Sequence, residues 1–303
     1  EKVQKASVAA TRRRFHDRRQ MTTAPNLQIR ASGVTPEQLT AYSALLGKVF
    51  GDAPKFTPQA LAWRYRDNPD GLVVGFDAWD GERLAAHYVT CPTTARIGGA
   101  AVRGLLSLNT VTDPDYGGQG LFTRLAQATY EAGAAAGHGF VMGVANANST
   151  PGFVKKLDFQ LVTPLEAGVI LRRPRRFEAA NPEFRIDWTP RRLAWRLANP
   201  ASAYGVRDRD GLTVISAPTH LPLVRCVGFV SEGLTEPGGA AGLASLFIGL
   251  EPRVNLAALG FLRLPRRLRP SPLNLIYRRL GDPAPASLDS ARTAIGFLDF
   301  DPY

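Results

Sequence analysis

The chain has 303 residues, enough for one large or two medium domains, and its 45% hydrophobic and 21% charged residues are those of an ordinary globular protein. No stretch approaches the roughly 20 unbroken apolar residues of a bilayer span, so membrane insertion is not expected. The net charge of +11 divides into +5 over residues 1–20, zero over 21–164 and +6 over 165–303. A nucleic-acid binder should not carry a neutral half of that size, so nucleic acid is not expected as a partner.

Two cysteines, Cys91 and Cys226, make neither a disulfide framework nor a CxxC pair, and the four histidines are scattered. No metal site is expected, and a reducing cytoplasm is the simplest compartment. Residues 1–20 hold the run Arg12-Arg13-Arg14 and precede the start-like Met21-Thr22-Thr23-Ala24. They read as a disordered basic extension and stand outside the fold argument.

From Met21 the pattern is mixed α/β. Residues 27–30 form a short strand candidate, and Thr35-Pro36-Glu37 opens a helix reaching Phe50, with threonine as N-cap and proline in the first turn. A second short helix over 58–66 stops at Asn68-Pro69. Strands are expected at 72–79 and 84–90 around the turn at Asp80-Gly81, and at 102–111. Glycines at 117, 118 and 120 break the chain before an alanine-rich helix over 121–136. A strand at 140–144, a helix at 151–157 and a strand at 159–163 follow.

An internal echo marks the second half. Leu61-Ala62-Trp63-Arg64 followed by Asn68-Pro69 recurs as Leu193-Ala194-Trp195-Arg196 followed by Asn199-Pro200. In both places a short helix ends at Asn-Pro before strand-forming sequence, which suggests a duplication. The division expected is a first domain over 21–165, a linker over 166–185 and a second over 186–303. The second half has glycines at 238, 239 and 242 but no comparable strand, phosphate loop and helix.

The strongest chemical signal lies between Leu108 and Ala126. A strand runs through Asp113-Pro114-Asp115-Tyr116 into Gly117-Gly118-Gln119-Gly120 and then the helix start Leu121-Phe122. Glycine lets backbone approach a ligand without Cβ interference. The first N–H groups of a helix lack intrahelical partners and sit at the positive end of its dipole. Together they make a pyrophosphate cradle that needs no basic side chain. A P-loop would need Gly-Lys-Ser/Thr, and a Rossmann loop a third glycine; neither is present. A glycine-rich turn that merely starts a helix stays open on these residues alone.

The stretch 110–125, together with Val144-Ala145-Asn146-Ala147-Asn148 and the helix ending at Leu157-Asp158-Phe159, resembles the GNAT acetyltransferase superfamily. Trp63–Pro69 and 106–112 resemble its subgroup of about 300 residues with a second, degenerate GNAT-like half. The resemblance implies a GNAT fold, a central mixed and splayed β-sheet flanked by helices, and acetyl-CoA as co-substrate. It implies that the backbone of Thr110, Val111 and Thr112 meets the pantetheine arm. Gly117, Gly118, Gln119, Gly120, Leu121 and Phe122 would hold the pyrophosphate. Asn148, with Asn146 second, matches the asparagine that contacts the arm, although Asn148 could equally cap the following helix. The sequence departs from the family's pattern at Gly117, usually arginine or glutamine, and at Phe122, usually small. Val154 stands where many members carry a tyrosine general acid.

The implied reaction is acetyl transfer to a primary amine of a small molecule, with amino sugars and aminoglycosides as the acceptors such relatives suggest. Tyr88, His87 and Asn109 are candidate catalytic side chains, and Tyr116 a further one facing a cleft. His87 also reads as a core histidine of an apolar strand. Some tandem members use their C-terminal carboxylate, which makes Tyr303 a candidate, with Asp299 and Asp301 nearby. The alternative is a non-catalytic GNAT-fold protein that binds coenzyme A or a partner.

Overall fold

The computed structural model describes residues 27–178, 180–209, 211–231, 233–239, 243–265 and 272–300. The basic extension and Tyr303 with Asp301 lie outside the described residues.

Local chemistry builds the first half as expected. Helix α1 (Pro36–Phe50) starts in a capping box in which the Thr35 side chain accepts from Gln38 N and the Gln38 side chain accepts from Thr35 N. Helix α2 (Pro58–Tyr65) starts at Thr57, whose hydroxyl accepts from Ala60 N. Strands β1 (Leu27–Ala31), β2 (Val74–Asp80), β3 (Arg83–Ile97) and β4 (Ala100–Thr112) pair antiparallel in sequence. Helix α3 (Leu121–Ala135) crosses over to β5 (Phe140–Ala145), which lies parallel to β4. Helix α4 (Thr150–Lys156) and β6 (Gln160–Pro164) follow.

β3 runs seven residues beyond the expected end at Thr90. Its Pro92 sits between the point where β2 leaves, at Thr90, and the point where β8 (Phe184–Ile186) joins, at Ala95. On that edge the ring interrupts no neighbour, the setting in which a strand tolerates proline.

The second half repeats the order of the first. Helix α5 (Pro190–Leu197) starts at Thr189, whose hydroxyl accepts from Arg192 N, as Thr57 does for α2. Strands β9 (Gly205–Arg209), β10 (Leu212–Pro218) and β11 (Val224–Ser231) pair antiparallel, and β12 (Ala244–Leu250) lies parallel to β11. No helix stands between β11 and β12 among the described residues, whereas α3 fills that place in the first half.

The halves exchange strands. β7 (Glu166–Ile170), within the span read as a linker, pairs with β12 and with β13 (Leu262–Arg263) of the second half. β14 (Asn274–Arg279) returns to lie between β5 and β6 of the first. One continuous core cluster therefore draws Phe140, Phe184, Ile248, Tyr277 and Phe297 from both halves.

β15 (Thr293–Gly296) pairs with β8 and with the end of β12, at Gly249 and Leu250. β7 occupies the other edge of β12, so β15 lies on the edge facing β11, where the β11–β12 ladder has ended at Val227 and Phe247. A Cβ on Gly228 would come within 3.0 Å of the Phe297 ring, so the glycine is what lets this segment close in. Helix α6 (Phe297–Phe300) follows it, and a cavity of about 30 Å³ remains beside Trp188, Gly228, Phe247 and Asp299. The cleft between the parallel strands of the second half is thus occupied by the chain itself.

Candidate functional site

In the first half the corresponding cleft is open. The parallel β4–β5 ladder runs from Gly104–Phe140 to Ser107–Gly143 and stops. Beyond it β4 stays with β3, whereas Val144 and Ala145 of β5 pair with β14. Register between β3 and β4 shifts after Val89–Leu108 to His87–Val111, leaving Asn109 and Thr110 opposite Tyr88 alone. Asn109 takes φ 49°, which asparagine tolerates better than most residues. This bulge turns Thr110, Val111 and Thr112 away from β5, so their backbone polar groups on that side have no strand partner.

Asp113 ends the strand and anchors the loop after it. Its carboxylate accepts from Lys48 Nζ at 2.8 and 2.9 Å, from Arg83 Nη2 at 2.8 Å and from Asp115 N at 3.1 Å. Burial works to raise its pKa, but the bonds from Lys48, Arg83 and Asp115 N outweigh it and hold the pKa at about 2. Arg83 also grips Asp115 and lies over the Tyr116 ring at 5.0 Å, and Tyr116 donates to Asp80 at 2.8 Å. Tyr116 is therefore a buried prop of the loop rather than a group in the cleft.

Gly118 and Gly120 take φ +76° and +69°, and a Cβ on either would meet nothing within 4 Å. Glycine is needed there for its conformation, and the space in front is left bare. Gly120 is the N-cap of α3 and offers no side chain to the helix start. Among the described residues, the N–H groups of Gly118, Gln119, Gly120, Leu121, Phe122 and Thr123 bond to nothing. Six unpaired donors at and just before the positive end of a 15-residue helix are the arrangement that an anion site requires. Leu121 is buried under the loop, and Phe122 packs edge-on against Phe153 and Tyr88 at 5.2 and 6.0 Å.

At the other rim, the N-cap of α4 is Ser149, which makes no side-chain cap bond, and not Asn148. The Asn146 Oδ1 accepts from Asn148 N at 3.0 Å and Ser149 N at 2.9 Å. Asn148 is exposed, and its side chain bonds to none of the described residues. Asn146 thus closes the turn just before the helix, its side chain reaching N–H groups two and three residues on. Val154 is half-buried on α4.

The catalytic candidates separate. His87 and Tyr88 are neighbours on β3, are both fully buried, and point to opposite faces. Tyr88 hydroxyl meets Ser107 Oγ at 2.8 Å and Tyr130 hydroxyl at 2.5 Å, and burial pushes its pKa to about 12. His87 lies among Tyr42, Tyr65 and Asp77 on the α1–α2 side. Asp299 is buried in the second half, where it accepts from Trp188 Nε1 at 2.9 Å and Gly296 N at 2.6 Å. Asn109 alone of the three side chains on β3 and β4 stands half-exposed at the cleft. Asp77 and Tyr65 went unnoticed in the sequence, where nothing local links them to His87.

Residues 30–162 match the family model described as an acetyltransferase (GNAT) domain. No curated protein matches the chain. A GCN5-related N-acetyltransferase of Kribbella flavida superposes with a TM-score of 0.57 at 14% identity, over 84% of this chain and 73% of that one. One from Anabaena variabilis gives 0.55 at 11% identity, over 84% and 73%. Saccharomyces cerevisiae N-myristoyltransferase with bound myristoyl-CoA gives 0.55 at 10% identity, over 90% and 89%. At these identities the structures share the fold alone, and the match to the acetyltransferase (GNAT) domain covers residues 30–162 of the chain.

Proposed function

We propose that this acyltransferase moves an acetyl group from acetyl-CoA to a primary amine of a small molecule, an amino sugar or aminoglycoside being the class expected. The observation that carries the reading is a helix start with six bare N–H donors standing beside two strands that part. A pyrophosphate fits this loop, because the donors are unpaired and the glycines leave the approach open. The unpaired backbone of Thr110, Val111 and Thr112 suits the amide-bearing pantetheine arm, and exposed Asn148 borders it from the β5 side.

When bound, acetyl-CoA supplies the activated thioester. The residues of the chain bind its anionic end, hold the arm between β4 and β5, and keep the amine close enough to react, the positioning that supplies most of such a rate. Backbone N–H groups at the β4 bulge are placed to stabilise negative charge on an acyl oxygen. An acetyl group is favoured over a long chain by crowding below the parting point. Tyr88, Phe122, Tyr130 and Phe153 fill the α3–α4 side with ring centroids 5.2 to 6.0 Å apart, and Tyr42, Tyr65 and His87 fill the other.

A non-catalytic coenzyme A-binding role is the second reading, favoured by one residue: Val154, at the position of the family's tyrosine acid, has no proton to give. Calorimetric titration of the full chain with acetyl-CoA and with myristoyl-CoA separates these readings when followed by thiol release with an amine panel. The expectation is micromolar binding of acetyl-CoA, weaker binding of myristoyl-CoA, loss of both in Gly120→Glu, and amine-dependent thiol release. Binding without release from any amine would favour the second reading, and no binding would end both.

A further inference from the structure

A buried chain of polar side chains runs from the core to the cleft. Asp77, fully buried, accepts from Tyr42 hydroxyl at 2.7 Å and from Ser32 Oγ at 2.8 Å. Its Oδ1 lies 2.7 Å from His87 Nδ1. His87 Nε2 lies 3.2 Å from the Tyr65 hydroxyl, and Asn109 Nδ2 donates to that hydroxyl at 2.7 Å. The elements that carry these groups are β2, β3, α2 and the β4 bulge, and the imidazole is clamped by Tyr42, stacked on it at 4.0 Å.

The donor sense of this chain follows from its buried end. A carboxylate that accepts from two hydroxyls needs a donor from the imidazole, so Nδ1 carries the hydrogen. In neutral histidine Nε2 is then an acceptor, and the Tyr65 hydroxyl must donate to it. Burial holds the Tyr65 phenol well above its ordinary pKa, so it keeps the proton it donates. Its oxygen is left to accept, and only the NH₂ end of Asn109 can supply that bond. The amide carbonyl Oδ1 therefore points the other way. It accepts from no described residue and is not among the buried atoms lacking a partner, so it is open to solvent.

Asn109 stands two residues past the last β4–β5 pair, on the α1–α2 side of the sheet. Phe122 and Tyr88 pack edge-on on the opposite side, and Asn109 is a half-exposed polar side chain that an acceptor at the parting strands would meet. Resting on the acetyl-transfer reading above, we infer that Asp77, His87 and Tyr65 are positioning residues that turn the Asn109 amide so that its Oδ1 receives an N–H of the acceptor amine. The reversed chain, with hydrogen on Nε2, would flip the amide and present NH₂ to the cleft, where it could not accept from an amine.

Two measurements test this. Long-range ¹⁵N–¹H correlation on the full chain, with His87 assigned by a His87→Gln variant, reads the tautomer without any substrate. The Nδ1–H form is expected, and the Nε2–H form overturns the assignment. Thiol release from acetyl-CoA with glucosamine as the probe amine then reads Tyr65→Phe, Asn109→Ala and the double variant. Each single change should lower turnover about tenfold through the amine KM, the effect of losing one hydrogen bond, and the double should be no worse than Asn109→Ala. Calorimetric affinity for acetyl-CoA should stay within about twofold in Tyr65→Phe, whose side chain lies outside the phosphate loop and the β4 backbone. Additive losses in the double variant, or equal loss of acetyl-CoA binding, would reduce Tyr65 to a structural role. Failure of the wild-type chain to bind acetyl-CoA removes the transfer reading and leaves the tautomer result standing by itself.

Discussion

Trp63 and Trp195 bind each other by the same atoms in both directions. Trp63 Nε1 donates to the Trp195 carbonyl at 3.0 Å, Trp195 Nε1 donates to the Trp63 carbonyl at 3.1 Å, and the indoles stack at 4.7 Å with 17° between planes. Each is followed by an arginine, Arg64 or Arg196, that lies over an indole. This is the contact of a two-fold axis, here relating α2 to α5 within one chain. Trp195→Ala should cost about 3 kcal/mol, as aromatic truncations in packed sites do. Trp195→Phe should cost about 1–2 kcal/mol, since it keeps a ring but leaves the Trp63 carbonyl short of a donor. Guanidinium unfolding followed by circular dichroism measures both.

Arg192 of α5 makes a second bond between the halves. It grips both oxygens of Asp70 at 2.8 to 3.0 Å, and bonds Thr94 Oγ1 and Asp187. Removing it as Arg192→Ala leaves a mostly buried carboxylate without its cation, and about 3 kcal/mol of stability should be lost. Arg192→Lys should recover less than half of that, because an ammonium cannot reproduce the fork. Thermal unfolding of the three proteins side by side decides it.

Gly118→Ala is a test of conformation against bulk. Nothing lies near its Cβ position, so any loss comes from holding alanine at φ +76°. About 1 kcal/mol of stability is the expected cost. Because the strain sits in the loop, acetyl-CoA affinity should fall by about tenfold or less, far short of the loss in Gly120→Glu. Calorimetry on both variants, with unfolding of Gly118→Ala, separates the two effects.

Two carboxylates give the stability profile opposite slopes in acid. Asp113 is depressed to about 2 in the folded protein. Its contribution is full above the unfolded value of about 3.9 and is lost as pH falls from there through 2. Asp299 is raised to about 6, chiefly by burial. Its folded form binds the proton more readily than the unfolded one, so stability is gained as pH falls from 6 to about 4 and lost as pH rises through 6. Urea unfolding across roughly pH 2.5 to 7 should find a maximum at about pH 4 to 5. Asp299→Ser should remove the rise between about 6 and 4, and Asp113→Asn should blunt the fall below about 4.

The amino-acid sequence by itself determined the local elements and the loop. Thr35, Thr57 and Thr189 cap helices through bonds spanning three residues. Gly118 and Gly120 take left-handed backbone angles that their own lack of Cβ permits. Such effects act within a turn of chain, so they are visible without the fold. The echo around Trp63 and Trp195 was visible for the same reason, but its meaning was not. Only tertiary structure decided that β7 and β14 change places, because strand exchange depends on pairing between segments about a hundred residues apart and leaves no local period. Only it placed β15 in the cleft of the second half, through the bare backbone of Gly228 and Gly249. Asp77, His87, Tyr65 and Asn109 likewise meet from four elements. A hydrogen-bond chain of that kind is set by distance in space, and side chains 10 to 44 residues apart carry no sign of it in their order.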